Sequence, residues 1–163
     1  MIVAGEDDRR QYREQGWWGD QTLADLFFAN VARHPDRLAL IDAPNRADFA
    51  FGAPQRLTYA QLADEVERLA GALVAHGIGR DDVIVIQLPN IGEFVALYFA
   101  AATIGAVVSP VAVQYRSHEL AAMFGIVEPK AFICGTQMKG ADHIDVVRPL
   151  LSGEIRLMTV GPN

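Results

Sequence analysis

The sequence predicts an α/β fold: a three-layer sandwich around a mostly parallel sheet, with a small N-terminal β-hairpin. Three observations carry this. Val83-Ile84-Val85-Ile86-Gln87-Leu88 is a nearly continuous, β-branched apolar run, the pattern of a strand covered on both faces, as in a parallel sheet. From Leu57 onward, strand-like and helix-like segments alternate, which is the order of βαβ units with their crossovers. The helix ahead of that run has an explicit start and stop: Thr58 and Gln61 form a T-x-x-Q capping box, and Gly77 supplies a left-handed residue past the end.

Taken in order, residues 1–20 are polar and rich in Gly and Trp, an N-terminal arm that Trp17-Trp18 is expected to clamp onto the body. Thr22 caps a first helix with Asp25 in its first turn and Leu23, Phe27 and Val31 on one face. His34-Pro35 stops it. Leu38-Ala39-Leu40-Ile41 reads as a strand, and the segment from Ala43 to Gln55 as a loop in which Phe49 and Phe51 alternate as a hairpin partner. Leu57 and Leu62 then staple the capped helix, whose apolar face repeats at Leu62, Val66, Leu69 and Leu73. After the central strand, Pro89 breaks the chain, and a helix runs from about Gly92 to Ile104 with Phe94, Leu97, Tyr98 and Ala101 on one face. Val107-Val108 is a short strand. Ser117 caps a helix through Phe124, Lys130–Cys134 is a strand, Ala141–Leu151 a helix and Ile155–Val160 a last strand.

Composition narrows the function classes. At 163 residues, 51% of them apolar, the chain buries one good core and forms one domain or part of a larger one. A formal net charge of −6 argues against a nucleic-acid binder, whose affinity rests on Lys and Arg neutralising phosphates. Cys134, the single cysteine, lies in an apolar strand, so it reads as a buried inert thiol, and a cytoplasmic setting follows from the lack of any disulfide framework. The Met1–Gly5 segment has no basic n-region, and Phe94–Val108 is interrupted by Gly105 and is shorter than a bilayer span. No transmembrane segment is therefore expected.

The residues alone show no active site. Gly77-Ile78-Gly79 follows a helix and precedes a strand, the reverse of a dinucleotide fingerprint. Gly135 to Gly140 contains Lys139 but lacks the Gly-Lys-Ser/Thr ending of a phosphate loop. His34, His76, His118 and His143 fall in separate elements without metal-ligand spacing. No metal site is expected.

Leu57-Thr58-Tyr59-Ala60-Gln61-Leu62 nevertheless resembles the L-T-Y-x-E-L opening of the AMP-forming acid–CoA ligases and related adenylating enzymes. Gly77-Ile78, Asp82-Val83, Leu88-Pro89-Asn90, Gly105-Ala106-Val107 and Glu119-Leu120 follow in that family's order. Tyr12 to Trp18, with Thr22-Leu23, resembles the N-terminal arm of the branch holding aryl-acid–AMP ligases and short-chain or cyclic-acid–CoA ligases. The resemblance implies that residues 21–163 are the first α/β subdomain of an adenylating enzyme's large domain. It implies a parent that activates a small carboxylic acid with ATP and Mg to an acyl-adenylate and transfers it to coenzyme A. The alternatives are an aryl-acid adenylase loading a carrier protein and a non-catalytic α/β binding module.

The family's phosphate loop, ribose-binding Asp and adenylation Lys lie downstream of the matched region. The residues in hand are therefore expected to be catalytically inactive alone, to bind no cofactor tightly, and to self-associate through the last strand or the helix before it. Two positions are candidates for binding. Asn90 sits where ligands gather at the end of a central strand, with capping of the next helix as the alternative. Arg116 lies where basic side chains of some CoA ligases approach the nucleotide phosphates, with a solvated helix-entry arginine as the alternative.

Overall fold

The computed structural model describes residues 4–138, 141–142, 144–151 and 153–161. Its centre is a four-stranded, all-parallel sheet in the order β4-β3-β5-β8, formed by β3 (Val83–Gln87), β4 (Val107–Pro110), β5 (Ala131–Gly135) and β8 (Arg156–Val160). The run that is apolar on both faces is central, as expected: all five residues of β3 are buried between β4 and β5.

Each strand divides its side chains between two cores, because successive residues point to opposite faces. Ile84, Ile86, Ala131 and Ile133 pack on one side with α3 (Tyr59–Ala75) and α4 (Gly92–Thr103). Val85, Phe132 and Cys134 pack on the other with Leu120 and Phe124 of α5 (Ser117–Val127) and with Val147 of the short α6 (Ile144–Val147). Helices on both faces of the sheet make the three layers. α2 (Leu23–Arg33) joins the first core through Phe27, which stacks on Phe99 at 4.3 Å between ring centroids. Leu23 of the same helix is exposed.

The caps form as the sequence implies. The Thr58 hydroxyl accepts from the Gln61 N–H, and the Gln61 side chain accepts from the Thr58 N–H at 2.9 Å. Thr22 and Asp25 make the same reciprocal pair, and the Thr22 hydroxyl and N–H, both donating to the Asp25 carboxylate, hold it below its ordinary pKa. Gly77 ends α3 with φ of 76°. At the amino end of the sheet, Asp82 accepts from Lys130 and from the Gly79 N–H, both at 2.7 Å, which joins the entries to β3 and β5.

Four expectations are corrected. β1 (Leu38–Ile41) does form the hairpin, but its antiparallel partner is β2 (Arg56–Thr58). Phe49 and Phe51 belong to the loop between them, where a single 3-10 turn spans Arg46–Asp48. Trp17 and Trp18 do not clamp the arm to the body. They pack on Tyr12 of α1 (Glu6–Glu14), at 5.6 and 5.2 Å, and stay exposed, so the arm's aromatic cluster closes on itself. The α5 cap position is Arg116, with Ser117 the first helical residue and the helix extending to Val127. The segment expected as one helix over Ala141–Leu151 is instead β7 (Ala141–Asp142), paired antiparallel with β6 (Gln137–Met138), then α6 and a 3-10 turn at Arg148–Leu150. Pro149 cannot donate within a helix, which explains the break there. Lys139 and His143 lie outside the described residues.

Burial decides how much the fold depends on a single side chain. Phe132 is fully buried and meets Phe124 edge to face at 5.4 Å. Phe132→Ala is expected to cost about 3–5 kcal/mol, against less than about 0.5 kcal/mol for Val74→Ala on the exposed face of α3. Urea denaturation of the two variants checks the difference.

Candidate functional site

In an open parallel sheet, ligands collect beyond the carboxyl ends of the strands. Here that edge is formed by the ends of β3, β4, β5 and β8 and by the loops that leave them. Asn90 and Arg116 both lie at this edge, in the loops after neighbouring strands β3 and β4. Gln87 links the two loops. It is fully buried at the end of β3, and its side-chain amide donates to the carbonyls of Ala112 (2.8 Å) and Tyr115 (3.1 Å).

Asn90 is exposed in a bend. The cap position of α4 is Ile91, without a side-chain cap, so Asn90 does not cap that helix. Arg116 is exposed, and its guanidinium folds back to donate to the carbonyls of Val113 (2.8 Å) and Tyr115 (2.9 Å).

The least expected feature is a buried ionic cluster over the same edge. Arg46 is 1% exposed. Its guanidinium donates to Asp42, to Glu93 at 2.6 Å and to the Phe51 carbonyl at 2.8 Å, and it lies over the Phe51 ring, 5.4 Å from the centroid. Asp42 also accepts the backbone N–H groups of Gln55 (3.0 Å) and Gly92 (2.9 Å), while the Gln55 side chain donates to Glu93 (3.1 Å). A Cβ at Gly92 would lie 2.9 Å from Gln55 Oε1 and 3.1 Å from Leu40 Cδ2, so a larger residue there would require both side chains to shift. Burial pushes the Asp42 carboxyl up, but the Gln55 N–H, Arg46 and the Gly92 N–H outweigh it and hold it below the usual carboxylate value. Burial pulls the Arg46 pKa down, and Glu93 and Asp42 more than offset that.

Beside this cluster, a cleft of about 320 Å³ opens between Gln55, Leu57, Leu69, Glu93, Leu97 and Val160. At the far side of the edge, Phe51 and Thr136 close on Gly161, where a Cβ would lie 3.2 Å from Phe51 Cδ1 and 2.7 Å from Thr136 Oγ1. With φ of 135°, that position favours glycine twice over.

Phosphate groups often bind at helix N-termini. At this edge the chain's own carboxylates engage the N-terminal amides: Asp42 takes the Gly92 N–H of α4, and Glu119 takes the Arg116 N–H of α5 at 2.9 Å. That bond to Arg116 holds the Glu119 carboxyl below its ordinary pKa. No group of three or more His, Cys, Asp or Glu is placed to hold a metal ion among the described residues.

Asp42, Arg46, Gln55 and Glu93 escape a reading of the sequence, since nothing local ties Arg46 to a carboxylate 47 positions away. Gln87 is different. A polar residue ending a run covered on both faces needs buried partners, and that signal is visible in the sequence.

Comparison with known proteins gives a consistent picture. The family model described as AMP-binding enzyme matches residues 27–160. Pyochelin synthase PchD of Pseudomonas aeruginosa is 36% identical over 154 residues, covering 93% of this chain and 26% of that protein. The medium-chain fatty-acid–CoA ligase of Escherichia coli is 33% identical over 149 residues, covering 91% of this chain and 25% of that protein. The crystal structure of a protein assigned as a long-chain-fatty-acid CoA ligase in Rhodopseudomonas palustris superposes with a TM-score of 0.72 at 30% identity, covering 87% of this chain and 33% of that one. The chain thus spans about a quarter of the length of the curated relatives it matches.

The buried cluster sets an expected pH response. A carboxyl whose folded pKa is depressed contributes stability that is fully present above its unfolded value of about 3.9, and loses it as pH falls through the folded value. Asp42→Asn is expected to cost on the order of 3 kcal/mol at pH 7, because it leaves a buried guanidinium partly uncompensated. It is also expected to flatten the fall in stability below about pH 4. Urea denaturation between pH 7 and pH 3 measures both.

Proposed function

The chain belongs to the AMP-binding enzyme family, and we propose that it is the N-terminal part of an ATP-dependent, AMP-forming carboxylic acid–CoA ligase. The observation that carries this reading is the family match over residues 27–160, together with 33% identity to a fatty-acid–CoA ligase across 91% of the chain. In this reading the residues in hand supply scaffold. They present a carboxyl edge for a small carboxylic acid and for CoA, with Asn90 at the rim of the pocket and Arg116 near the CoA phosphates. In this reading ATP and Mg are handled by other parts of the enzyme, since residues 1–163 hold no counterpart of the family's phosphate loop, ribose-binding Asp or adenylation Lys. The reading divides the chain into an arm at residues 1–20 and an α/β subdomain at 21–163, acting in the cytoplasm. No helix among the described residues is long and apolar enough to cross a membrane.

A second reading, an aryl-acid adenylase that loads a carrier protein, is favoured by 30% identity, over 90% of this chain, to the salicyl-AMP ligase / salicyl-S-ArCP synthetase of Mycobacterium tuberculosis. The thiol acceptor separates the two. The full-length protein is expected to show carboxylic-acid-dependent ATP–pyrophosphate exchange and to form an acyl thioester with CoA, read by mass spectrometry. Transfer to a phosphopantetheine carrier but not to CoA would select the second reading. No exchange with any acid would leave a non-catalytic binding module. Residues 1–163 alone are expected to show no exchange, because without backbone donors and cations around the departing pyrophosphate its charge is unstabilised.

The same reading implies self-association of residues 1–163. β8 pairs with β5 along one edge, and its Leu157, Met158 and Val160 are half-buried. An uncovered strand edge pairs readily with another chain. Sedimentation at several concentrations is expected to show concentration-dependent dimers or larger species, and a monomer throughout would contradict it.

A further inference from the structure

We infer that Arg46 is a positioning residue for acid activation, acting through Phe51 and the first turn of α4. The inference rests on the ligase reading above and goes beyond it by assigning a role to a residue that touches no substrate.

The geometry runs in two directions from one guanidinium. Toward the loop, Nε donates to the Phe51 carbonyl at 2.8 Å, and the cation lies over the Phe51 ring, fixing both the backbone and the ring of that residue. The ring in turn lies beside Gly161 and Thr136, at the carboxyl ends of β8 and β5, near enough that a Cβ at Gly161 would come within 3.2 Å of it. Toward the sheet centre, Asp42 and Glu93 connect Arg46 to the start of α4, just beyond the carboxyl end of β3. One buried cation therefore sets the relative position of three strand ends and the loop lying over them.

Such a device is costly as a stability element, since a buried ion cluster is often replaceable by well-packed apolar groups at no loss. Its distinctive property is geometric. The planar fork engages a carboxylate, a second carboxylate and a carbonyl in fixed directions, which a lysine ammonium does not reproduce. Acid activation needs the reacting groups held in place, and a 1 Å error in their support costs about 100-fold in rate.

The test compares the full-length enzyme with Arg46→Lys, Phe51→Leu and the double variant. The readout is ATP–pyrophosphate exchange with the best carboxylic acid, with kcat expressed per active site counted from a pyrophosphate burst. Counting sites removes any loss due to unfolded protein. Arg46→Lys is expected to lower kcat per site about 10- to 100-fold, with the KM for ATP changed by less than about twofold. Phe51→Leu alone is expected to cost about tenfold, and adding it to Arg46→Lys less than about threefold more, because both act through one contact. Wild-type kcat per site in either single variant, or fully multiplicative losses in the double variant, would overturn the inference. If Arg46→Lys does not fold, Phe51→Leu decides alone, since it leaves the ion cluster intact. A wild-type enzyme without exchange would instead refute the ligase reading and this inference with it.

Discussion

A strand with apolar side chains on both faces has to be covered on both, and the architecture follows from that constraint. Val83–Gln87 cannot lie at a solvated edge without exposing one of its two apolar rows. Parallel neighbours on either side and helices on both faces satisfy it. The first core takes α3 and α4, the second takes α5 and α6, and the alternation of residues along β3 and β5 assigns each side chain to one or the other. The carboxyl edge then falls where the parallel strands all end, which makes it the place for loops and for ligands.

That edge is built from polar contacts that no apolar pattern requires. Gln87 ties the loop after β4 to the end of β3, and the Arg46 cluster ties the loop between β1 and β2 to the start of α4. Asp42 accepts one amide at the start of α4, and Glu119 accepts the Arg116 N–H just ahead of α5. The edge is accordingly braced by side-chain contacts that hold its loops to the strand ends and to the start of α4. This fits a chain that spans about a quarter of its curated relatives and belongs to a family of AMP-binding enzymes.

The parts legible in the sequence are those governed by short-range rules. The Thr58–Gln61 cap, the Gly77 stop and the burial of β3 each depend on residues a few positions apart. The parts that were not legible depend on distant partners or on very short elements. β2 has only three residues, too few to show alternation, so Phe49 and Phe51 looked the better hairpin strand. Ala141–Leu151 reads in the sequence as one helix, but Pro149 and a two-residue strand break it into three pieces. The charge cluster is the extreme case, since Arg46 and Glu93 meet across 47 positions and neither carries a local sign of it.

The proposed ligase reading puts an acyl-adenylate at the carboxyl edge and not at the opposite end of the sheet. Hydrogen–deuterium exchange of the full-length protein, with and without a non-hydrolysable acyl-adenylate mimic, tests it most directly. Slowed exchange is expected in the loops at residues 88–91 and 111–116 on binding, with the Gly79–Asp82 turn at the amino end unchanged. Protection confined to that turn and to the segment at Glu128–Lys130, with the carboxyl-edge loops unaffected, would contradict it.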